Sequence, residues 1–243
     1  MNEKTINTSH LPAWFSLPLL GLSAMLLVGC SATQKVAVNQ ANVNCGFLGS
    51  DCAKLTPIGK DDDKTAGLRY VNPSAQWTQY TKVIIDPVTF WGGDTTKVSA
   101  SDQQSLVNYF SQQLNEELAK KFQIVTQPGP GVLKLSVALT DADAATPGLR
   151  SVSMIVPQAH MVSNLKYLAT GTFPFVGAAQ AQAKITDALT GETLALAVDR
   201  RIGGGSFAAG FQWQWGDAEN AINKWSEMVA ERLSSWTSGQ AKP

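Results

Sequence analysis

The sequence predicts an α+β fold, in which one mainly antiparallel sheet carries two amphipathic helices packed on one face. Three observations lead to this prediction. A continuous apolar run stands early in the chain at residues 83–85, and apolar residues recur at helical spacing in 101–122 and in 217–236. Between the two helical patterns, residues 133–139 and 178–198 read as strands. One sheet with both helices on the same side buries all of these apolar surfaces together.

The first strand and the first helix are each predicted from the spacing of apolar side chains. Lys82 and Asp86 flank the run Val83-Ile84-Ile85, and an uninterrupted β-branched run is typical of a strand buried on both faces. Ser101 begins a sequence that fits a capping box, which predicts the start of a helix. The apolar face of this helix repeats every four residues, at Leu106, Phe110, Leu114, Leu118 and Phe122.

The second half of the chain is predicted to contain a strand, a hairpin and the closing helix. Apolar residues in 133–139 alternate with polar or small ones, so one face of this strand is buried. A turn at Thr190-Gly191 joins two strands over residues 178–198, because a glycine supplies the positive φ that tight hairpins need. Asp217 is the predicted N-cap of the closing helix, whose apolar face extends to Trp236.

The composition of the chain argues against several classes of function. The chain has 19 basic and 19 acidic residues, and this zero net charge argues against a nucleic-acid partner bound through bulk charge. Beyond residue 29 the single histidine is His160, which is too few for a typical zinc site. No Gly-x-Ser-x-Gly motif is present to expose a nucleophile. We therefore predict no metal, no cofactor and no catalytic residues.

The N-terminal segment predicts where the mature chain resides. An uncharged stretch of about sixteen residues, shorter than the roughly 20 that span a bilayer, ends in Leu27-Val28-Gly29-Cys30. This ending resembles the lipobox of bacterial lipoproteins, in which the cysteine receives a diacylglycerol before cleavage. The resemblance implies a signal peptide at residues 1–29 and a lipidated, palmitate-bearing Cys30. Ser31 resembles the outer-membrane class, so we expect a lipid anchor on the periplasmic face of the outer membrane.

The stretch that follows is mostly polar and aperiodic, and we predict a lipidated N-terminus with a flexible tether over residues 30–67. Cys45 and Cys52 lie close together in a chain expected in an oxidising compartment, so we predict a disulfide between them. A disulfide within a tether stabilises the domain very little. The periplasmic α+β domain is predicted over residues 68–238, and a disordered tail over 239–243.

Four short motifs and one tryptophan stand in a characteristic order between Leu68 and Trp236. They are Tyr70-Val71-Asn72-Pro73-Ser74, Val83-Ile84-Ile85-Asp86-Pro87-Val88, Ser153-Met154-Ile155-Val156-Pro157, Asp187-Ala188-Leu189-Thr190-Gly191-Glu192 and Trp225. In these residues the chain resembles a family of bacterial lipoproteins known only as a domain of unknown function. The resemblance implies a lipoprotein without an established activity, and it assigns no catalytic residue.

Residues 149–171 have a surplus of apolar side chains but are interrupted by Pro157. One interpretation of this stretch is a loop that covers the core. The functional alternative is a surface for a partner or a lipophilic ligand, because flexible segments that carry methionine adapt to apolar partners. Its residues are Met154, Ile155, Val156, His160 and Met161.

The predicted function is a non-enzymatic binding or assembly role in the cell envelope. The chain would reach the membrane through its N-terminal lipid and bind an envelope protein. Two alternatives belong to other classes: an envelope hydrolase that uses carboxylates, and a carrier of a small lipophilic ligand. The hydrolase requires acidic residues at the strand ends to converge, namely Asp141, Asp143, Asp187 and Glu192.

Overall fold

The computed structural model describes residues 33–58, 63–93, 96–144, 177–203 and 214–242. Within these ranges the chain forms nine strands and two long helices. None of the helices in the described ranges combines the length and the apolar character needed to cross a bilayer.

The strands and helices follow one another in the order expected of an α+β chain. The strands are β1 Thr33–Val36, β2 Thr56–Pro57, β3 Leu68–Val71, β4 Lys82–Ile85, β5 Thr89–Phe90, β6 Gln123–Ile124, β7 Val132–Asp143, β8 Ala178–Asp187 and β9 Thr193–Gly203. The helices are α1 Ala100–Ala119 and α2 Gly216–Thr237. Short 3-10 helices are found at Gln40–Asn42, Gly49–Lys54 and Trp77–Gln79.

The nine strands form one mixed sheet in the order β2-β3-β9-β8-β7-β4-β6, with β1 also paired to β9 and β5 to β7. The pairs among β1, β2, β3, β7, β8 and β9 are antiparallel. The pairs made by β4, β5 and β6 are parallel. The predicted α+β class is confirmed, and the sheet is mostly antiparallel. Its parallel part arises because α1 returns the chain to the same end of the sheet before β6 and β7.

The largest core cluster lies between the helices and the sheet. The helices α1 and α2 contact each other, and alternate side chains of β7 belong to the same cluster. As the sequence predicts, the stripe of α1 and the alternating face of β7 are buried. These residues are Leu106, Phe110, Leu114 and Leu118 on α1, and Leu133, Leu135, Val137 and Leu139 on β7.

Residues 33–58 belong to the folded domain, so the prediction of a flexible tether is wrong for them. β1 pairs with the end of β9, from Thr33 opposite Gly203 to Val36 opposite Arg200. A second core cluster joins this N-terminal part to β3 and β9. Its buried members are Leu48, Cys52, Leu55, Leu68, Leu196 and Val198. The few apolar residues of the N-terminal part are irregularly spaced, so periodicity does not reveal that they pack on the sheet.

Both helix starts differ from the prediction. α1 is capped by Ser99 rather than Ser101, and the Ser99 hydroxyl accepts a hydrogen bond from the Asp102 backbone N–H at 3.2 Å. α2 begins after Trp215, and Asp217 lies inside the helix with only 2% of its surface exposed. The Asp217 carboxylate accepts a bond from the Gly177 N–H at 2.8 Å. This hydrogen bond links α2 to the residue that precedes β8.

The C-terminal residues continue the structure of α2, which differs from the disordered tail predicted for 239–243. Gly239 adopts a φ of 73°, the left-handed conformation with which helices commonly end. The backbone N–H groups of Gln240 and Ala241 then donate to the carbonyl of Ser235 at 3.0 and 3.2 Å.

Candidate functional site

A cavity of about 120 Å³ lies beneath α2, between this helix, α1 and the sheet. The two helices contribute large apolar side chains to its walls, and β8 and β9 form its floor, to which they contribute four alanines. Residues 64–66 and Arg69 complete the lining on one side. The helix residues are Phe110 and Leu114 from α1, and Trp225, Met228, Val229, Arg232, Leu233 and Trp236 from α2.

Four alanines leave space above the floor of the cavity. Ala181 and Ala183 alternate along β8, Ala195 and Ala197 alternate along β9, and the register sets Ala183 opposite Ala197. An alanine side chain ends at Cβ, so a helix that rests on the larger neighbours leaves space above it. Ala183 and Ala197 remain half-buried for this reason, although they lie on inner strands of the sheet.

A buried ion pair stands at one end of the cavity. Asp199 and Arg201 follow Ala197 on the same face of β9, and their side chains are 4% and 0% exposed. The Arg201 Nε–H donates to Asp199 Oδ2 at 2.9 Å. The same oxygen accepts from the Trp225 indole N–H at 2.8 Å, and Oδ1 accepts from the Gly67 backbone N–H at 2.9 Å. Three donors from three parts of the chain thus hold the carboxylate in place.

Arg201 joins four segments of the domain. Its Nη1 donates to the Thr33 hydroxyl of β1 at 3.2 Å and to Asp63 Oδ1 at 3.0 Å. Its Nη2 donates to the Asp63 carbonyl at 2.9 Å and lies 3.4 Å from the Met228 sulfur of α2. Burial raises the pKa of the Asp199 carboxyl, and the nearby guanidinium of Arg201 and the N–H donors offset only part of that rise.

The acidic residues of the hydrolase hypothesis separate into two pairs. Asp141 and Asp143 both form ion pairs with Arg200, at the end of the sheet where β7 ends. Asp187 and Glu192 flank the β8–β9 turn at the other end.

The second pair is also engaged. Asp187 accepts from the Tyr80 hydroxyl at 2.9 Å, and Glu192 accepts from the Asn72 amide at 2.7 Å. Burial and the Asp187 carboxylate raise the pKa of Tyr80 to about 12. The structure therefore does not bring the two pairs of acids together. Within the described ranges, no group of three histidine, cysteine or acidic residues is placed to hold a metal ion.

The predicted disulfide between Cys45 and Cys52 is confirmed, and Cys52 is buried against the sheet. The lipidation residue Cys30 lies outside the described residues. So does the predicted partner surface, which consists of Met154, Ile155, Val156, His160 and Met161.

Our sequence analysis missed both the cavity and the ion pair. Two signals were available in the residues of β8 and β9. Alanine recurs at every second position in 179–183 and in 195–197, which indicates a shallow face. Asp199 and Arg201 extend that same face with opposite charges two residues apart, which indicates a paired, inward-facing site.

The sequence pattern of a protein family described as "Protein of unknown function (DUF3313)" matches residues 45–229. The chain belongs to the DUF3313 family. The family match begins at Cys45 and ends at Val229, so it includes the disulfide and most, but not all, of the residues that line the cavity. The resemblance to an uncharacterised lipoprotein family is thereby confirmed.

This DUF3313 chain is 30% identical over 158 residues to "Uncharacterized lipoprotein YdcL" of Escherichia coli K12. The similarity covers 63% of this chain and 65% of the relative, which is slightly less than two thirds of the relative's length. The protein of the same name from Escherichia coli O157:H7 shows the same identity and coverage.

Two solved structures are similar to this chain at low TM-scores. XCC0632 from Xanthomonas campestris matches with a TM-score of 0.38 at 11% identity, over 71% of this chain and 96% of that one. The PelC dodecamer from Paraburkholderia phytofirmans matches with a TM-score of 0.37 at 12% identity, over 66% and 95%. At such TM-scores these structures do not inform the function or the assembly of this chain.

Proposed function

We propose that this protein is a lipoprotein of the bacterial cell envelope, anchored by lipid on Cys30 to the periplasmic face of the outer membrane, and that it acts by binding rather than by catalysis. The lipobox ending at Cys30 and the relative named as a lipoprotein support the anchor. Ser31 supports the outer membrane as its location.

The cavity beneath α2 is the observation that carries the binding role. Its walls and floor are mostly apolar side chains, and an apolar pocket with a few polar groups is typical of small-molecule sites. We take α1 and α2 to cover one face of the sheet, which is supported by their mutual contact and by the core cluster they share with β7. Of the functions considered above, this geometry favours a carrier of a small lipophilic ligand.

A role without carboxylate catalysis agrees with the placement of the acids. Asp141 and Asp143 are paired with Arg200, whereas Asp187 and Glu192 lie at the opposite end of β8 and β9. Hydrolysis by two carboxylates requires them to flank one bond, within about 10 Å of each other. Asp141 and Asp143 meet that distance, but both are bound by Arg200. Asp187 and Glu192 are bound by Tyr80 and Asn72. These interactions support binding over hydrolysis.

The anchor is tested by labelling cells with an alkyne analogue of palmitate. We expect label on the natural chain and none on Cys30→Ala, whose unprocessed precursor should remain at the inner membrane. In a density gradient, Ser31→Asp is the matched variant: it keeps the label but should shift the protein toward the inner-membrane fraction. Labelled Cys30→Ala in the outer membrane would contradict the proposed anchor.

A second binding function, toward an envelope protein, is supported by the apolar surplus of residues 149–171. Its test is the double variant Met154→Ser/Met161→Ser. We expect loss of the crosslinked product in cells and a change in unfolding free energy of no more than about 0.5 kcal/mol per residue, as for exposed side chains. A loss of about 2–5 kcal/mol per residue would place these methionines in a core and contradict this surface.

A further inference from the structure

Two tryptophans of α2 line the cavity, and their indole N–H groups have different surroundings. Trp225 and Trp236 are about three helical turns apart, so both lie on the face of α2 that meets the cavity. The Trp225 N–H donates to Asp199 Oδ2 at 2.8 Å. The Trp236 N–H is buried and has no acceptor among the described residues. The cavity therefore has one indole donor that is paired within the protein and one that is not.

The unpaired N–H of Trp236 points to a ligand that carries an acceptor. Trp236 is 4% exposed, and its ring packs against Trp77 with the ring centroids 4.7 Å apart, so the donor is fixed in place and cut off from water. Buried donors in folded proteins nearly always have a partner, because an unpaired one has lost its hydrogen bonds to water. The buried indoles of Trp77 and Trp215 also lack acceptors among the described residues, but neither lines the cavity. Only for Trp236 does a bound molecule have access to the missing partner's place.

The charged residues of the lining are already engaged, which favours an uncharged ligand. Among the described residues that line the cavity, the one carboxylate is that of Asp199, and three N–H donors hold it. The basic residues of the lining also interact within the domain, namely Lys64, Arg69 and Arg232. A charged molecule that enters an apolar space loses its hydration and needs a counter-charge in return, whereas an uncharged one loses much less.

The volume of the cavity limits the ligand to a compact molecule. A cavity of about 150 Å³ holds benzene, which has six carbons, so the 120 Å³ here suits about five non-hydrogen atoms. Phe110 and Leu233 stand in its walls, and Ala183 and Ala197 in its floor. Most of the ligand's surface therefore contacts apolar side chains, and one polar atom is sufficient for the Trp236 N–H.

We infer that the cavity beneath α2 binds a compact, uncharged molecule of about five non-hydrogen atoms, one oxygen of which accepts a hydrogen bond from the Trp236 indole N–H. An ether or carbonyl oxygen suits this position because it accepts a hydrogen bond and brings no donor that would need a second partner. This inference rests on the binding role proposed above and specifies its ligand: a small ether or carbonyl compound.

The test uses the full mature chain, residues 30–243, with Cys30→Ser to keep it in solution without detergent. Four probes with five non-hydrogen atoms each are titrated: tetrahydrofuran, cyclopentane, protonated pyrrolidine and propionate. The first three are five-membered rings, so they differ in their acceptor and charge rather than in size. Propionate supplies the negative charge.

Two NMR signals, assigned by triple-resonance experiments, report the binding. The Met228 methyl group responds to any molecule in the cavity, and the indole N–H of Trp236 responds to an acceptor. We expect tetrahydrofuran to shift the Met228 signal and to move the Trp236 proton downfield, and cyclopentane to shift Met228 without that downfield change. Pyrrolidine and propionate should bind at least about tenfold more weakly than tetrahydrofuran. The Trp225 N–H is the internal control, since it already donates to Asp199.

A tryptophan variant separates the hydrogen bond from the packing. Trp236→Phe lacks the N–H, so the Kd for tetrahydrofuran divided by the Kd for cyclopentane should rise about three- to tenfold relative to the natural chain. Trp91→Phe is the matched control and should leave this ratio unchanged, because the Trp91 N–H donates to Thr89 outside the cavity. Circular dichroism shows whether each variant is folded. If Trp236→Phe is not, the proton shift in the natural chain decides.

A second variant tests the location of the site. Ala197→Leu fills the space above the floor and should abolish the response of Met228 to tetrahydrofuran and to cyclopentane. Ala183→Val is the smaller alternative if Ala197→Leu does not fold.

Three results would overturn the inference. No downfield shift of the Trp236 proton with tetrahydrofuran would remove the acceptor, while binding of cyclopentane at Met228 would leave the binding role in place. Pyrrolidine or propionate bound as tightly as tetrahydrofuran would show that the site does not select an uncharged ligand. No response to any probe would remove the cavity as a ligand site, and the lipid anchor and the envelope partner would still be decided by the labelling and crosslinking experiments.

Discussion

At the scale of single residues, two adjacent arginines on β9 show that the face of a strand determines how much an ion pair contributes to stability. Arg201 is fully buried beside Asp199, and it also contacts β1, Asp63 and α2. Arg200, its neighbour in sequence, points to the other side and pairs with the more exposed Asp141 and Asp143. Both arginines bind carboxylates, but only the buried pair is costly to break, because its partner charge cannot return to water.

We predict that Arg201→Leu lowers the unfolding free energy by about 3–5 kcal/mol, because it leaves the Asp199 carboxylate buried without its counter-charge. Arg200→Leu, the matched control, should cost about 0–1 kcal/mol, as exposed pairs do. Urea unfolding at pH 7 measures both. Equal costs for the two variants would show that the Asp199–Arg201 pair is open to water in solution.

A second residue, Asp51, makes the stability of the domain depend on pH. Its carboxylate accepts from the ammonium groups of Lys184 at 2.6 Å and Lys54 at 2.7 Å, and from the Thr193 hydroxyl at 2.8 Å. The hydrogen bonds from Lys184 and Lys54 hold the pKa of Asp51 well below its usual range. Because the unfolded chain binds this proton more readily, the stability that Asp51 adds is complete above the unfolded pKa of about 3.9 and is lost as the pH falls below it.

We therefore expect Asp51→Asn to be less stable than the natural chain at pH 7 and to approach it in stability between about pH 5 and pH 2. Urea midpoints measured at each pH provide the comparison. If the gap between the two proteins is constant over this range, Asp51 is not paired in the folded state.

At the scale of elements, the N-terminal segment that contains the disulfide acts as a second cover for the sheet. The helices pack with Ala181, Ala183 and Ile185 of β8, whereas Lys184 of the same strand reaches Asp51 in the 3-10 helix next to the disulfide. Gln182 likewise donates to the Asn44 carbonyl at 2.7 Å. Since successive residues of a strand point to opposite faces, the β8 side chains in the core cluster and those that contact the disulfide segment lie on opposite sides of the sheet.

Because this segment packs on the sheet, we now expect its disulfide to stabilise the domain, contrary to the prediction from the sequence. We predict that reduction of Cys45–Cys52 with dithiothreitol lowers the unfolding free energy by about 2.5 kcal/mol, the chain-entropy estimate for so short a loop. For a domain of this size that corresponds to a melting temperature lower by about 5–10 °C. Thermal unfolding followed by circular dichroism, with and without reductant, makes the measurement. A change of less than about 2 °C would mean that the segment is detached from the sheet in solution.

At the scale of the whole molecule, the packing of β1 shortens the distance between the domain and its proposed anchor. Only Ser31 and Ala32 separate Cys30 from Thr33, the first residue of β1. Three residue steps span at most about 11 Å, whereas a free tether of the predicted length would extend on the order of 30 Å. If Cys30 carries the proposed lipid, the β1–β9 edge of the domain is therefore close to the bilayer.

Limited proteolysis of the mature protein tests this arrangement. We expect the protease-resistant core to begin at or before Thr33 and to retain the disulfide, because cleavage needs backbone that is free to enter a protease. Intact mass of the trimmed product identifies its first residue. A core that begins near Leu68 would show that the residues before it form a flexible tether, and it would contradict the pairing of β1 with β9.

Some features of this protein follow from local pattern. The α1 stripe, the alternating face of β7, and the hairpin with Gly191 at a φ of 73° all agree with the sequence, because each depends on residues a few positions apart. The disulfide and the family are also recoverable from the sequence, since Cys45 and Cys52 are near neighbours and the family motifs are linear.

The tertiary structure decided what depends on distant residues. The burial of Leu48 and Leu55, the bond from Asp217 to Gly177 and the Arg201 network each join segments far apart in the chain, and no local period records them. The cavity is of the same kind. Alternating alanines can be read from the sequence, but whether a neighbouring side chain fills the space above them depends on how two helices and two strands pack. That packing exists only in three dimensions.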